Sequence, residues 1–248
     1  MPELTPNEQA HLNSLHEIMN CPAFDADCGD TDQLAPPPSG LPPLTDFNEK
    51  WEGVELDETI RSHSLRFIDF GAQWSTLSPE YCEENDIECD EGERELPEIH
   101  GEFFLRPLQD ILSQPEGPAR EVETEFQRQF LSELRVMDQT PRSGAGMITY
   151  LRLKPGSDPL EIWYSDIADI QTHPYPPGFV KMDLTYDAYL DALLLTKGTY
   201  GWQYLYTETG LADQYEIRGY LEGMLSLFPE IFPNYDYSSL AERLEARL

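Results

Sequence analysis

Residues 182–206, MDLTYDAYLDALLLTKGTYGWQYLY, constrain the fold of this chain more than any other stretch. They read as one helix, a glycine stop and an aromatic segment. The Thr185 hydroxyl is placed to cap the helix N-terminus. Asp183 and Asp187 lie near the positive end of the helix dipole, and Lys197 near its negative end. Leu190, Leu193 and Leu194 share a face with Tyr186 and Tyr189, at the i, i+3, i+4 spacing of a buried helix. Gly198 supplies the left-handed residue that ends it. Gly201, Trp202, Tyr204 and Tyr206 have too little polar character for a surface loop, so the whole unit is expected in the core. It contains no evident catalytic group.

The chain has 248 residues, with 47 acidic against 16 basic side chains and a formal net charge of −31. That imbalance disfavours nucleic acid and anionic membrane surfaces, and it speeds encounter with a basic partner. Solubility alone also accounts for it. The start, MPELTPNEQA, lacks the basic and apolar regions of a signal peptide. No run approaches the roughly 20 apolar residues of a membrane helix. Four cysteines fit a reducing compartment and argue against a disulfide framework. A cytoplasmic protein is the resulting expectation.

Along the chain, Thr5-Pro6-Asn7-Glu8 is a capping box that opens a helix over 5–19. Residues 20–46, rich in Pro, Gly and Asp, read as a linker or extended covering segment. Leu65–Gly71 reads as a strand, and 80–102 as a solvated acidic loop. Phe103–Leu105 predicts a strand and Leu108–Leu112 a helical turn. Residues 121–138 are helix or mixed structure. MITYLRL at 147–153 and LEIWY at 160–164, joined through Pro155-Gly156, predict an antiparallel hairpin. Residues 165–181 read as loop. Residues 210–228 predict a helix broken by Pro229, and 238–247 a last short helix capped by Ser238 or Asp236. Strands in the middle and helices toward the C-terminus define an α+β class, with a central, mostly antiparallel sheet flanked by helices. Residues 1–60 form an N-terminal helix and a Pro/Asp-rich segment packing on the main body, and 61–248 the α+β domain.

The sequence carries no recognisable active-site motif. Cys21-x6-Cys28 and Cys82-x6-Cys89 are spaced more widely than structural zinc ligands. Asp25, Asp27, Asp30 and Asp32 lack the glycine and glutamate spacing of a calcium loop. His11, His16, His63, His100 and His173 belong to no metal or nucleophile motif, and no phosphate-binding glycine loop occurs. No catalytic residue, metal or cofactor is therefore expected, and the chain reads as a non-enzyme; a metal-binding protein or enzyme using Cys21, Cys28, Cys82 and Cys89 with scattered carboxylates is an alternative.

The C-terminal half resembles the SUKH superfamily, which includes bacterial immunity proteins and a fungal cell-wall-synthesis regulator. The block DLTYDAYLDALLLTKGTYGWQYLY carries the likeness, above all Leu190, Gly198, Trp202 and Leu205. Tyr150-Leu151-Arg152-Leu153 and Leu160-Glu161-Ile162-Trp163 look like the family's strand pair. Phe104-Leu105-Arg106-Pro107-Leu108 is similar to its earlier strand and turn, and Leu227–Pro233 to a tail of some bacterial members. The likeness covers roughly residues 100–248; residues 1–60 and the acidic tract have no counterpart. It implies a SUKH-like fold and a protein that binds proteins. Bacterial members neutralise toxins, often nucleases, so a basic toxin is the expected partner and a regulatory or cell-envelope scaffold the alternative. Charge and position then nominate Glu83, Glu84, Asp86, Glu88, Asp90 and Glu91 with Asp166 and Asp169 as the partner-facing carboxylates. Tyr164 and Tyr175 are the expected exposed aromatic anchors.

Overall fold

The computed structural model describes residues 3–56, 58–85, 87, 96–157, 159–166, 170 and 173–248. Helices and strands follow in the order α1 (Pro6–Met19), β1 (Phe24–Cys28), α2 (Leu44–Phe47), α3 (Glu58–His63), β2 (Phe70–Thr76) and α4 (Pro79–Asn85). The middle of the chain gives β3 (His100–Leu105), α5 (Leu108–Ser113), α6 (Glu125–Glu133), β4 (Leu134–Gln139), β5 (Ile148–Arg152), β6 (Glu161–Ser165) and β7 (Phe179–Met182). The C-terminal third gives α7 (Tyr186–Thr196), α8 (Tyr215–Ile231) and α9 (Ser238–Glu245). The class is α+β, as expected.

The strands form two antiparallel sheets, β1-β2-β3 and β4-β5-β6-β7, where one central sheet was expected. The division has a local cause. The β4–β5 register shifts between Val136 and Asp138. At that irregularity the Asp138 carboxylate takes the Phe104 N–H at 2.8 Å, in place of a strand-to-strand carbonyl. The Arg106 N–H still reaches the Met137 carbonyl at 2.9 Å, so the sheets meet along β3 and β4 without a continuous ladder.

The capping box forms: Thr5 Oγ1 accepts from the Glu8 N–H, and Glu8 accepts from the Thr5 N–H. Glu8 also receives the Arg66 guanidinium in two 2.7 Å bonds. That grip on Arg66, together with a bridge from Phe67 to Leu34, holds 65–69 outside the sheet. The strand expected at 65–71 accordingly starts at Phe70. Phe24–Cys28 is a paired strand rather than linker, because Asp25 and Asp27 point outward while the Phe24 ring stacks on Trp74 at 4.4 Å. Phe179–Met182 is likewise a strand within the expected loop. The 210–228 helix starts later, at Tyr215, and runs through Pro229 to Ile231; the proline removes one i→i−4 bond, and the helix ends two residues on.

The keystone unit is buried as expected, with Trp202, Tyr204 and Leu205 no more than 1% exposed. Two details differ. The Thr185 hydroxyl donates to Asp187 rather than accepting a backbone N–H. The left-handed stop begins one residue early, at Lys197 (φ 51°), and continues in Gly198 (φ 75°). One apolar cluster runs from Leu15 to Leu244 through the inner faces of both sheets. A second, built from Phe130, Leu131, Leu134, Tyr150, Trp163 and Phe179, lies between α6 and the outer face of the four-stranded sheet.

Gly101 shows how tightly the three-stranded sheet is packed. A Cβ there would stand 2.3 Å from the Trp74 ring, which is 1% exposed. Gly101→Ala is therefore expected to lower unfolding free energy by about 1–3 kcal/mol through overpacking, measurable by urea denaturation. A loss below 0.5 kcal/mol, within the range of about ±0.5 kcal/mol for surface substitutions, would show that the indole shifts freely.

Candidate functional site

The outward face of β1-β2-β3 assembles polar groups that are far apart in the chain. Register places Ser75 opposite His100 and Gln73 opposite both Asp27 and Glu102. Ser75 Oγ and His100 Nδ1 are 2.8 Å apart. Three tyrosines surround the imidazole, with Tyr81, Tyr200 and Tyr220 centroids at 6.2, 6.1 and 5.7 Å. Each of these rings is half-buried, one side packed and the other presented outward. Burial raises the Tyr220 phenol to about 12, reinforced by the Glu216 charge, so it remains an uncharged donor at neutral pH.

Acidic groups border this aromatic patch. The Tyr81 hydroxyl donates to Asp25 at 2.8 Å and so fastens α4 to strand β1. Glu80, Glu83 and Glu84 are exposed on α4, and Asp25 and Asp27 on β1. Burial raises the Tyr81 phenol, and the Asp25 bond adds to the shift. Arg142 pairs with Asp27 and is the basic side chain bonded at this border. Its loop is held from below by Glu102, 3% exposed, which accepts the Arg142 and Ser143 N–H groups at 2.6 and 2.9 Å and the Ser143 hydroxyl.

The surroundings of Ser75 and His100 lack the features of a hydrolytic pair. Ser75 sits within a strand rather than at an exposed turn that would offer free backbone N–H groups to an oxyanion. Glu98 lies 3.7 Å from Nε2, beyond hydrogen-bond range. The arrangement suits recognition: an acidic rim beside rigid, amphipathic aromatic rings.

The sequence-nominated residues separate. Glu83 and Glu84 stand on this face. Asp86, Glu88, Asp90, Glu91 and Asp169 lie outside the described residues. Asp166 follows β6 in the other sheet and accepts the Tyr204 hydroxyl at 2.6 Å. Tyr164 is 0% exposed, its ring edge-on to Tyr204 at 5.2 Å, so it is no exposed anchor. Tyr175 packs on Trp163 and Phe130 at 4.4 and 5.0 Å, within the satellite cluster. The partly exposed tyrosines of the acidic face are Tyr81, Tyr200 and Tyr220. They come from α4, the turn after α7 and α8, and converge on His100 only through tertiary packing, which no local motif announces.

Cys82 is disulfide-bonded, against the expectation from the low cysteine count, while Cys21 and Cys28 are free thiols. Burial raises both free thiols above their ordinary range, which keeps them protonated. Among the described residues, no three His, Cys, Asp or Glu side chains converge to hold a metal, and no helix is long and apolar enough to cross a membrane.

The fold is α+β, and one face of its three-stranded sheet is acidic and lined by tyrosines. Comparison with protein-family models, curated proteins and solved structures finds no match to this chain.

Proposed function

We propose that this protein is a stoichiometric binder of a cationic protein, acting through the β1–α4 face as an immunity protein acts on its toxin. The observation that carries the reading is the Tyr81–Asp25 bond, which joins the carboxylates of α4 to those of β1 beside three half-buried tyrosines. Such a surface favours a basic partner on charge, and tyrosines are common interface anchors. The resemblance of residues 100–248 to the SUKH superfamily supports the same reading, and a nuclease toxin, whose substrate is itself anionic, fits the charge. The chain acts by occupying the partner and performs no catalysis of its own.

The test is association with the product of the adjacent gene. Glu80→Lys/Glu83→Lys/Glu84→Lys is expected to slow association about tenfold or more at low salt, because charge steering governs the on-rate. In high salt the variant and the parent should converge. Tyr200→Ala, which removes an anchor, should instead speed dissociation. Unchanged rates in both variants would reject this face. Capture of envelope-synthesis proteins instead would favour the regulatory alternative.

A further inference from the structure

A second surface has the opposite electrostatic character. An open cleft of about 840 Å³ lies between the 48–51 turn, the 115–122 loop, helix α6 and the ends of β4 and β5. Four of the chain's sixteen basic residues line it: Lys50, Arg120, Arg128 and Arg135. Three acidic residues, Glu116, Glu125 and Glu133, also line it. Two of those are already neutralised. Glu125 pairs with Arg128 at 2.9 Å, and Glu133 with Arg152 at 2.7 Å. Among the lining residues, Lys50, Arg120 and Arg135 then face Glu116, with Glu49 and Glu121 in the same two segments outside the lining.

These cations are differently placed. Arg135 is buried; it donates to the carbonyls of Gln114, Ser132 and Leu134 and lies over the Trp51 ring at 5.0 Å. It is a fixed positive base for the cleft. Lys50 and Arg120 are exposed, and among the described residues neither is paired with a carboxylate. Arg120 is steadied over the Phe179 ring at 5.7 Å. The loop wall is equally set: a Cβ on Gly117 would stand 1.7 Å from the Leu131 carbonyl, so the loop lies directly on α6. Pro115, Pro118, Val122 and Leu153 add apolar surface.

We propose that this cleft binds an extended acidic peptide segment of a partner protein. Its carboxylates meet Lys50 and Arg120, and its apolar residues meet Pro115, Pro118 and Val122. The volume lies within the range of about 300–1,000 Å³ typical of ligand sites. A long polyanion is disfavoured because the surrounding charge repels it at distance. A short segment with few carboxylates responds mainly to the local excess of cations, since fields beyond about 8–10 Å are screened at physiological salt. The proposal is independent of the β1–α4 reading, which concerns a partner of opposite charge on another sheet.

The experiment is a backbone-amide NMR titration of the full chain with the acetylated heptapeptide Glu-Val-Pro-Glu-Val-Pro-Glu, beside its counterpart with glutamine at every glutamate. Shifts confined to residues 48–51, 115–122 and the start of α6 are expected with the acidic peptide. The glutamine peptide should bind at least tenfold more weakly, as should the acidic peptide to Lys50→Glu/Arg120→Glu. Lys50→Gln/Arg120→Gln keeps the test decisive if the reversal variant fails to fold. The α4 charge-reversal variant should bind the peptide as the parent does, whatever its effect on the cationic partner. No shifts at millimolar peptide, shifts centred elsewhere, equal binding of the glutamine peptide, or indifference to the Lys50 and Arg120 changes would each overturn the proposal.

Discussion

Lys197→Ala is expected to destabilise the protein by about 2–5 kcal/mol, the range for truncating a large buried side chain. For a chain of this length that is a fall of roughly 4–20 °C in Tm. Lys197 is 0% exposed and sits where three parts of the fold converge. Its ammonium donates to Ser14 Oγ at 2.8 Å and to Glu17 Oε2 at 2.7 Å, both on α1. It lies 4.2 Å from the Tyr235 centroid and 5.0 Å from that of Phe232, in the segment after α8. Its carbonyl accepts the Trp74 indole N–H at 2.7 Å, and its own backbone is left-handed. Alanine removes the ammonium and leaves a cavity. Lys197→Met keeps the volume and should cost less, which separates the charge from the packing. Glu17→Gln keeps an acceptor oxygen but leaves the buried ammonium without its carboxylate, so it should also destabilise, and the double variant should be less than additive. Burial lowers the lysine pKa against the opposing pull of Glu17. The folded state thus binds this proton less tightly than the unfolded chain, and the group's contribution to stability improves as pH rises toward 10.5. Urea denaturation decides the matter. A loss below 1 kcal/mol for Lys197→Ala would mean the ammonium does not hold α1 to the C-terminal segment.

Asp138→Asn should have the opposite sign. Asp138 is 3% exposed and accepts from the Phe104 and Gln139 N–H groups, each at 2.8 Å, and from the Tyr189 hydroxyl at 2.6 Å. Burial raises its carboxyl from 3.8 to about 6, and these hydrogen bonds only partly offset it. A carboxyl with a raised folded pKa binds its proton more tightly in the folded state. Its penalty is absent below about pH 4, grows as pH rises from 3.8 to about 6, and is complete above that. A two-unit shift corresponds to about 2–3 kcal/mol. Asparagine keeps the acceptor for both N–H groups. Its amide N–H can donate to Tyr189 Oη, whose proton then goes to Thr149 Oγ1, 3.1 Å away. The variant is therefore expected to be more stable than the parent by about 2–3 kcal/mol at pH 8, with the difference shrinking toward pH 4. Paired denaturation curves at pH 4, 6 and 8 isolate this group, because every other carboxylate is common to both chains. A variant less stable than the parent at pH 8 would show that the asparagine is not accommodated.

The hairpin of β5 and β6, the capping box and the buried keystone were legible because each rests on short-range physics. Side chains two residues apart share a strand face, a hydroxyl reaches the N–H three residues on, and an apolar stripe repeats with the helix turn. Tyr164 shows where that reasoning stops. Alternation in β6 separates Ile162 and Tyr164 from Trp163, but the sheet is covered on both faces, one by the main core and the other by α6. Period two distinguishes the faces of a strand without saying which is wet. The candidate face shows the same limit. Asp25 and Tyr81 lie 56 residues apart, and His100 meets Ser75 only through the β2–β3 register.

By itself, then, the sequence determined the α+β class, the −31 charge, the capped first helix, the β5–β6 hairpin and the buried keystone helix. The tertiary structure alone decided that the strands divide at Asp138, that Lys197 is an internal tether rather than a surface cation, and that scattered carboxylates and tyrosines become one face while basic residues gather in another. The physical reason is that charge and hydrophobicity belong to single residues and are read locally. Burial and charge pairing belong to neighbours, and neighbours far apart in the chain are set by register and packing.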